Sequence, residues 1–341
     1  MMAGSTERSD VLGIDIGGVH LKYATIAGEC LDRPFPLWTR WQELSDQLAS
    51  DISRFRGIRR LAITMTGELA DCFAARSVGV SSIVDHVMRC LTMTALQSAA
   101  FYGTDGRFHD AGGAKHNWEC VAASNWHALA TCVGSRLAKD ALLIDVGSTT
   151  TDVIAICEGE VLTRSRTDFT RLGDLSLVYV GCRRTPVCAL VSELEIDGRF
   201  IPVMNEVFAT IDDARLLTGT QAEDPSDMAT ADSHPRDRAH ARIRLARMIG
   251  LDSDQVSDRE LEHLATQIQR SASRRIDVAV DRWWQILSSQ TESPPTCVLS
   301  GHGQDLVGPP GDCDVIDLRT QLPRGVSRAA PAWAVAVLLP R

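Results

Sequence analysis

The run Leu142–Cys157, LLIDVGSTTTDVIAIC, decides how the rest of the chain is read. An apolar stretch leads into Asp145, a small-residue turn from Gly147 to Thr151 follows, and Asp152 opens a second apolar stretch, Val153 to Ile156. That pattern predicts a β-hairpin whose tip can hold an oxyanion. Gly147 lets backbone approach a ligand closely, and the hydroxyls and amides of Ser148, Thr149 and Thr150 can donate to phosphate oxygens. Asp145 and Asp152 supply carboxylates of the kind that carry magnesium. An ordinary Ser/Thr-rich turn has the same composition, so this stretch alone does not establish a phosphate site.

A second tip of the same design strengthens the reading. In Val11–Ala27, VLGIDIGGVHLKYATIA, an apolar strand ends at Asp15, Gly17 and Gly18 make the turn, and Val19, Leu21 and Tyr23 alternate around Lys22. Asp15 and Asp145 lie 130 positions apart, which predicts two similar halves. A third Gly-rich turn follows a strand near the C-terminus: Cys297-Val298-Leu299-Ser300-Gly301-His302-Gly303-Gln304. In this order the three motifs resemble the actin, sugar-kinase and heat-shock-chaperone superfamily. The resemblance implies an α/β fold of two ribonuclease-H-like halves, an actin-like ATPase fold, around a central cleft. The first two hairpins would clasp phosphates from opposite sides, with Gly301 and Gly303 in a ligand-binding third loop near a nucleotide base. Such a fold does not fix the reaction.

Composition bounds the alternatives. A chain of 341 residues is long enough for two cores. With 44% hydrophobic and 23% charged residues it reads as a soluble globular protein. A net charge of −9 and a pI near 5.5 argue against a nucleic-acid groove. The ten cysteines include no C-x-x-C pair and lie in apparent strands and helices, so buried thiols and a reducing cytoplasm are expected. Residues 1–10 are polar and read as a disordered tail without a signal peptide's apolar core. The apolar run 329–340 is too short, and contains proline, to span a bilayer roughly 30 Å thick; it reads as a buried terminal helix.

The predicted halves are 11–140 and 141–341, each built on a five-stranded mixed sheet. Helical spacing marks 38–55, 80–91, 119–138, 206–217, 238–249 and 251–287, and a strand is predicted at 61–66. Within 168–187 the pattern predicts an apolar strand running to Arg183-Arg184. Two arginines there can grip a diphosphate bidentately or simply be solvated. Residues 218–236 form a polar, proline-containing loop, either a functional lid or plain surface.

Four runs carry a closer resemblance: Thr64 to Phe73 (TMTGELADCF), Ile144 to Asp152, Arg166-Thr167-Asp168 through Arg171-Leu172, and Gly181 to Pro186. Together they are similar to hydantoinase/oxoprolinase-like proteins of the tetrahydromethanopterin-linked one-carbon transfer pathway, from Val11 to about Ala336. Archaeal members are methanofuran-biosynthetic synthases that join an aminomethylfuran-methyl diphosphate to the phenol of γ-glutamyltyramine. His20 departs from that group's G-G-x-N-x-K pattern, where Asn is expected.

The resemblance implies a transferase that stabilises a departing diphosphate. Magnesium would be held by Asp15 and Asp145, and the phosphates by Gly17, Gly18, Lys22, Gly147 to Thr150, Arg183 and Arg184. A base must take the phenol proton, with Asp152, Glu68 and His20 as candidates. ATP binding is possible for such a fold, but ATP is not expected to be consumed. The alternative is an ATP-dependent kinase or amidohydrolase, and a non-enzymatic nucleotide-sensing protein is a third reading. Neither a nucleic acid nor a membrane is an expected partner.

Overall fold

Strands that are apolar along their whole length must be covered on both faces, which places helices on each side of each sheet. The structure, a computed structural model, describes residues 10–323 and 325–340. Its first sheet contains β1 (Val11–Ile16), β2 (His20–Thr25), β3 (Cys30–Pro34), β4 (Arg60–Met65), β5 (Ser98–Tyr102) and β6 (Phe108–His109), in the order β3-β2-β1-β4-β5-β6. The second contains β7 (Ala141–Val146), β8 (Thr151–Cys157), β9 (Glu160–Val161) and β10 (Leu177–Val178). A two-stranded ribbon, β11 (Glu193–Ile196) and β12 (Arg199–Pro202), stands apart, and β13 (Thr296–Gly301) and β14 (Val315–Asp317) complete the second sheet. Its order is β10-β8-β7-β13-β14, with β9 beside β8.

The two sheets repeat one plan. β1 pairs antiparallel with β2 and parallel with β4, and β7 pairs antiparallel with β8 and parallel with β13. Each sheet holds six strands where five were expected, because two-residue strands such as β6, β9 and β10 leave no periodicity in the sequence.

Helix α1 (Leu44–Ile52) and helix α2 (Arg76–Met93) cover the outer face of the first sheet, packing Leu44, Leu48, Val80, Ile83 and Val87 on Leu12, Ile14, Ile16 and Ile63. The other face of both sheets closes on helix α3 (Asn125–Arg136), which joins Val11, Ala62 and Tyr102 to Leu143, Ile154 and Val298 in one apolar layer. Helix α4 (Asp168–Asp174) precedes β10. Behind the second sheet lie helices α5 (Ile211–Leu217), α6 (Arg238–Arg247) and α7 (Asp258–Ser288). A capping box between Ser257 and Glu260 starts α7, whose buried Leu261, Leu264, Ala265, Ile268, Ala272 and Ile276 recur at helical spacing. The terminal helix α8 (Ala330–Leu338) returns to the first sheet and joins the layer between the sheets. It lies so close to β1 that a Cβ at Gly13 would sit 1.8 Å from the Ala332 carbonyl oxygen, so only glycine fits there.

Several sequence expectations change. The helix expected over 119–138 breaks between Val121 and Asn125, with Ala123 at φ 48°. The strand expected between Gly173 and Arg183-Arg184 shrinks to β10, because from Cys182 on the chain turns onto the second tip, where the Cys182, Arg183 and Arg184 amides donate to the Gly147 and Ser148 carbonyls; α4, started by a Thr167–Thr170 capping box, precedes it. Helix α5 begins at Ile211, capped by Thr210, and α7 begins seven residues later than expected. Asp10, assigned to the tail, accepts backbone hydrogen bonds from Arg59 and Arg60 and pairs its carboxylate with Arg60 at 3.0 Å. The rest of the expected tail lies outside the described residues. All ten cysteines are free.

Candidate active site

The hairpin tips are built alike, atom for atom, at their hydrogen bonds. Asp15 faces Lys22 across β1 and β2, and the Gly17 amide donates to the His20 carbonyl at 2.9 Å. Asp145 faces Asp152 across β7 and β8, and the Gly147 amide donates to the Thr150 carbonyl at 2.9 Å. A Cβ at Gly17 would lie 2.9 Å from the His20 carbonyl oxygen, so the first turn is tight. Around Gly18 nothing lies within 4 Å of such an atom, so this turn position is uncrowded.

The tips share one electrostatic field. Burial pushes the Asp15 carboxyl up to about 6, against the opposing pull of Lys22. Burial, and then the neighbouring Asp152, push Asp145 up to about 6, opposed by the Ser300 hydroxyl and Lys22, with Asp15 adding to the rise. The two aspartates and Lys22, drawn from both halves, therefore act on one another. Burial would also raise Asp32, but the His20 hydrogen bond and the charges of His20, Lys22 and Arg328 hold it below the ordinary carboxylate range.

The residues present fit a divalent cation. Asp15 Oδ1 is buried without a hydrogen-bond partner, and Asp145, half-buried, is near enough for the charges of Asp15 and Lys22 to act on it. Among the described residues no group of three or more His, Cys, Asp or Glu side chains converges as a complete cage. Two carboxylates suit magnesium, which keeps waters and takes further oxygens from phosphate.

The third loop joins this space. Ser300 lies beside Asp145 in the sheet. The left-handed Gly301 (φ 80°) presses against the hairpin, with a Cβ there 2.2 Å from the Val146 carbonyl oxygen and 2.9 Å from Asp145 Oδ1. Gly303 is equally crowded, by Cys182 and Val146. Gly301 and Gly303 thus let the loop approach the second tip. Burial, and then the charges of Lys22, Arg328 and Arg215, push His302 down to about 4, which keeps its imidazole neutral beside Lys22. Arg215 of α5, buried, fixes the loop by donating to the Cys182 and His302 carbonyls and by pairing with Asp305 at 2.6 Å.

The Arg183-Arg184 pair buttresses the second tip through its backbone. Both amides donate to the Ser148 carbonyl, and Cys182 donates to Gly147. Gly181 makes this approach possible, since a Cβ there would lie 2.4 Å from Thr149 backbone atoms. The Arg183 guanidinium is committed to Asp227 in the 218–236 loop, and Arg184 reaches across to the first half, 6.0 Å from the Trp38 ring. That loop is irregular, as its sequence predicts, but anchored: Arg236 donates to both Asp212 oxygens, at 2.5 and 2.9 Å.

The three base candidates stand differently. His20 Nδ1 lies 2.6 Å from Asp32 Oδ1. Asp152 accepts from buried Arg171 at 2.6 Å, and the Arg171 guanidinium lies 4.0 Å from the Trp126 ring centre. Burial raises the Asp152 carboxyl, with Arg171 opposing. Glu68, in the turn after β4, is 1% exposed, and its carboxylate has no side-chain hydrogen-bond partner. Sequence reasoning gave no role to Arg76, Asp168, Arg171, Gly181 or Arg215. The Thr167-x-x-Thr170 cap signal could have placed Asp168 at a helix start.

The hydantoinase/oxoprolinase family model matches residues 59–316. A curated relative from Methanocaldococcus jannaschii, named (4-{4-[2-(gamma-L-glutamylamino)ethyl]phenoxymethyl}furan-2-yl)methanamine synthase, is 32% identical over 96% of this chain and 97% of its own. One of the same name from Methanococcus vannielii is 27% identical over 61% of this chain and 94% of its own. Among solved structures, a nucleotide-free acetone carboxylase covers 93% of this chain and 51% of that one at TM-score 0.48 and 11% identity. The activator of 2-hydroxyisocaproyl-CoA dehydratase from Clostridium difficile gives TM-score 0.40 at 12% identity, covering 96% of this chain and 92% of that one.

Proposed function

Because the chain belongs to the hydantoinase/oxoprolinase family, we propose that it is a cofactor-biosynthetic transferase of methanofuran formation. It condenses an aminomethylfuran-methyl diphosphate with a γ-glutamyltyramine-type phenol and releases diphosphate. The observation that carries this reading is that Asp15 and Lys22 of the first tip act on Asp145 of the second, on a chain aligned almost end to end with a synthase of that product class.

A furan is electron-rich, so a methylene attached to it can part from diphosphate through a cation-like transition state. The protein then has to stabilise charge gathering on the leaving oxygens. Magnesium, held by Asp15 and Asp145, would supply charge neutralisation when bound. Lys22 adds a fixed positive charge between the tips. The Gly18 amide and the hydroxyls of Ser148, Thr149 and Thr150 donate to phosphate oxygens. The Arg183-Arg184 backbone holds the second turn in the shape this requires.

The substrates are small molecules, and the setting proposed is the cytoplasm. Among the described residues no helix is long and apolar enough to cross a membrane. The reading is tested by calorimetric titration of inorganic diphosphate and of ATP, each with magnesium. Diphosphate is expected to bind, to lose affinity in Lys22→Met, and to need the metal. Binding of ATP together with no binding of diphosphate would favour an ATP-dependent kinase or amidohydrolase of the same fold.

A further inference from the structure

A carboxylate buried without a side-chain partner is costly, and a fold retains one where it serves a reaction. Glu68 is such a group, and its place is fixed from both sides of the cleft. Its chain neighbour Gly67 abuts the first tip, where an added Cβ would lie 3.1 Å from the Ile16 oxygen and 3.2 Å from Gly17 carbon. Helix α2 packs on the Glu68 backbone at Gly79, where an added Cβ would lie 2.4 Å from the Glu68 carbonyl oxygen. From the second half comes Asp168, whose charge acts on both Glu68 and Asp152, the partner of Asp145 across the hairpin. Asp168 is itself paired with Arg76 of the first half, so an ion pair bridges the halves beside Glu68.

From this geometry we infer that Glu68 is the general base that takes the acceptor's phenolic proton, beneath the Arg76–Asp168 bridge; the inference rests on the transferase reading above. As the phenol oxygen bonds to the furan methylene carbon, its proton passes to the Glu68 carboxylate. The bond from that carbon to the diphosphate oxygen breaks, and its electron pair leaves on the diphosphate. The other two candidates are engaged, His20 with Asp32 and Asp152 with Arg171. Exposed apolar side chains stand within one or two residues of Glu68 and the bridge: Leu69 and Val78 on one half, Phe169 on the other. They offer an aromatic acceptor an apolar entrance. The charged groups acting on Glu68 are Arg76 from α2 and Asp168 from α4. Burial dominates and pushes its carboxyl up to about 7, with the backbone amide of Glu68, the Arg76 charge and the backbone amide of Ala123 opposing and Asp168 adding to the rise. A base of that strength is matched to neutral pH.

The test measures ether formation by wild type, Glu68→Gln and Asp168→Asn with two acceptors, γ-glutamyltyramine and a ring-nitrated analogue whose phenol is already ionised at the assay pH. Glu68→Gln is expected to slow the ordinary acceptor by about 10²–10⁴-fold while leaving binding of inorganic diphosphate with magnesium unchanged. The loss should shrink with the nitrated acceptor, which needs no base. The rise of the wild-type rate through about pH 7 should vanish in Glu68→Gln and move to lower pH in Asp168→Asn. Undiminished turnover in Glu68→Gln, or the same loss with both acceptors, overturns the assignment while leaving the transferase reading intact. A wild type that makes no ether from either acceptor defeats the transferase reading, and the assignment with it.

Discussion

Replacing Glu68 by Gln should stabilise the unliganded protein, and increasingly so as pH rises above about 4.5. Burial lifts the folded-state pKa of Glu68 from 4.5 to about 7. The folded protein therefore binds its proton more tightly than the unfolded chain, and stability falls as pH rises between those values. A rise of this size corresponds to about 3 kcal/mol, at roughly 1.4 kcal/mol per tenfold change in proton affinity. The penalty is absent below the unfolded-state pKa and complete above the folded-state one. Asp15, Asp145 and Asp213 also carry raised pKa values, but wild type and variant share them, so the difference between two urea-unfolding curves isolates Glu68. Followed by tryptophan fluorescence, the variant should exceed wild type by about 1 kcal/mol at pH 5 and by about 3 kcal/mol at pH 8. Equal differences at both pH values, or a less stable variant at pH 8, would refute the claim that Glu68 is held as an unpaired carboxylate.

Two other substitutions separate ligand-directed from structural charges. Asp145→Ala should abolish turnover with the fold retained, because a desolvated tip carboxylate serves the ligand; near-normal turnover with magnesium, or loss of the folded circular-dichroism spectrum, would contradict this. Arg171→Met should cost about 3–5 kcal/mol in urea unfolding at pH 8 by leaving Asp152 buried without its ion-pair partner, and a cost under 1 kcal/mol would show that the pair does little for the fold.

Signals within one hairpin were legible from the sequence, and those that span the chain were not. An apolar strand, an Asp and a Gly turn are local features, so both tips and the glycine loop at 301–303 could be located from residue order. Gly17 and Gly18 look alike in sequence, yet one is crowded and the other open, which only packing decides. Arg183 and Arg184 were noticed for their charge, whereas their amides, bound to Ser148, do the structural work and Asp227 takes up the Arg183 charge. The apolar run after Gly173 reads as a full strand, yet only Leu177–Val178 pairs, because the amides from Cys182 on are taken by the Gly147 and Ser148 carbonyls of a turn about 35 residues earlier in the chain. Glu68 could be named as a candidate from its place after Gly67, but its lack of side-chain partners could not be read there. The Arg76–Asp168 bridge joins residues 92 positions apart, and no periodicity records such a pairing.

The central claim is that the facing tips hold a diphosphate that leaves. The most direct measurement incubates the protein with an aminomethylfuran-methyl diphosphate, γ-glutamyltyramine and magnesium, with and without ATP, and follows diphosphate, ADP and the ether product together. The account predicts diphosphate and ether appearing in equal amounts at the same rate whether or not ATP is present; ADP formed in step with product, and no product without ATP, would contradict it.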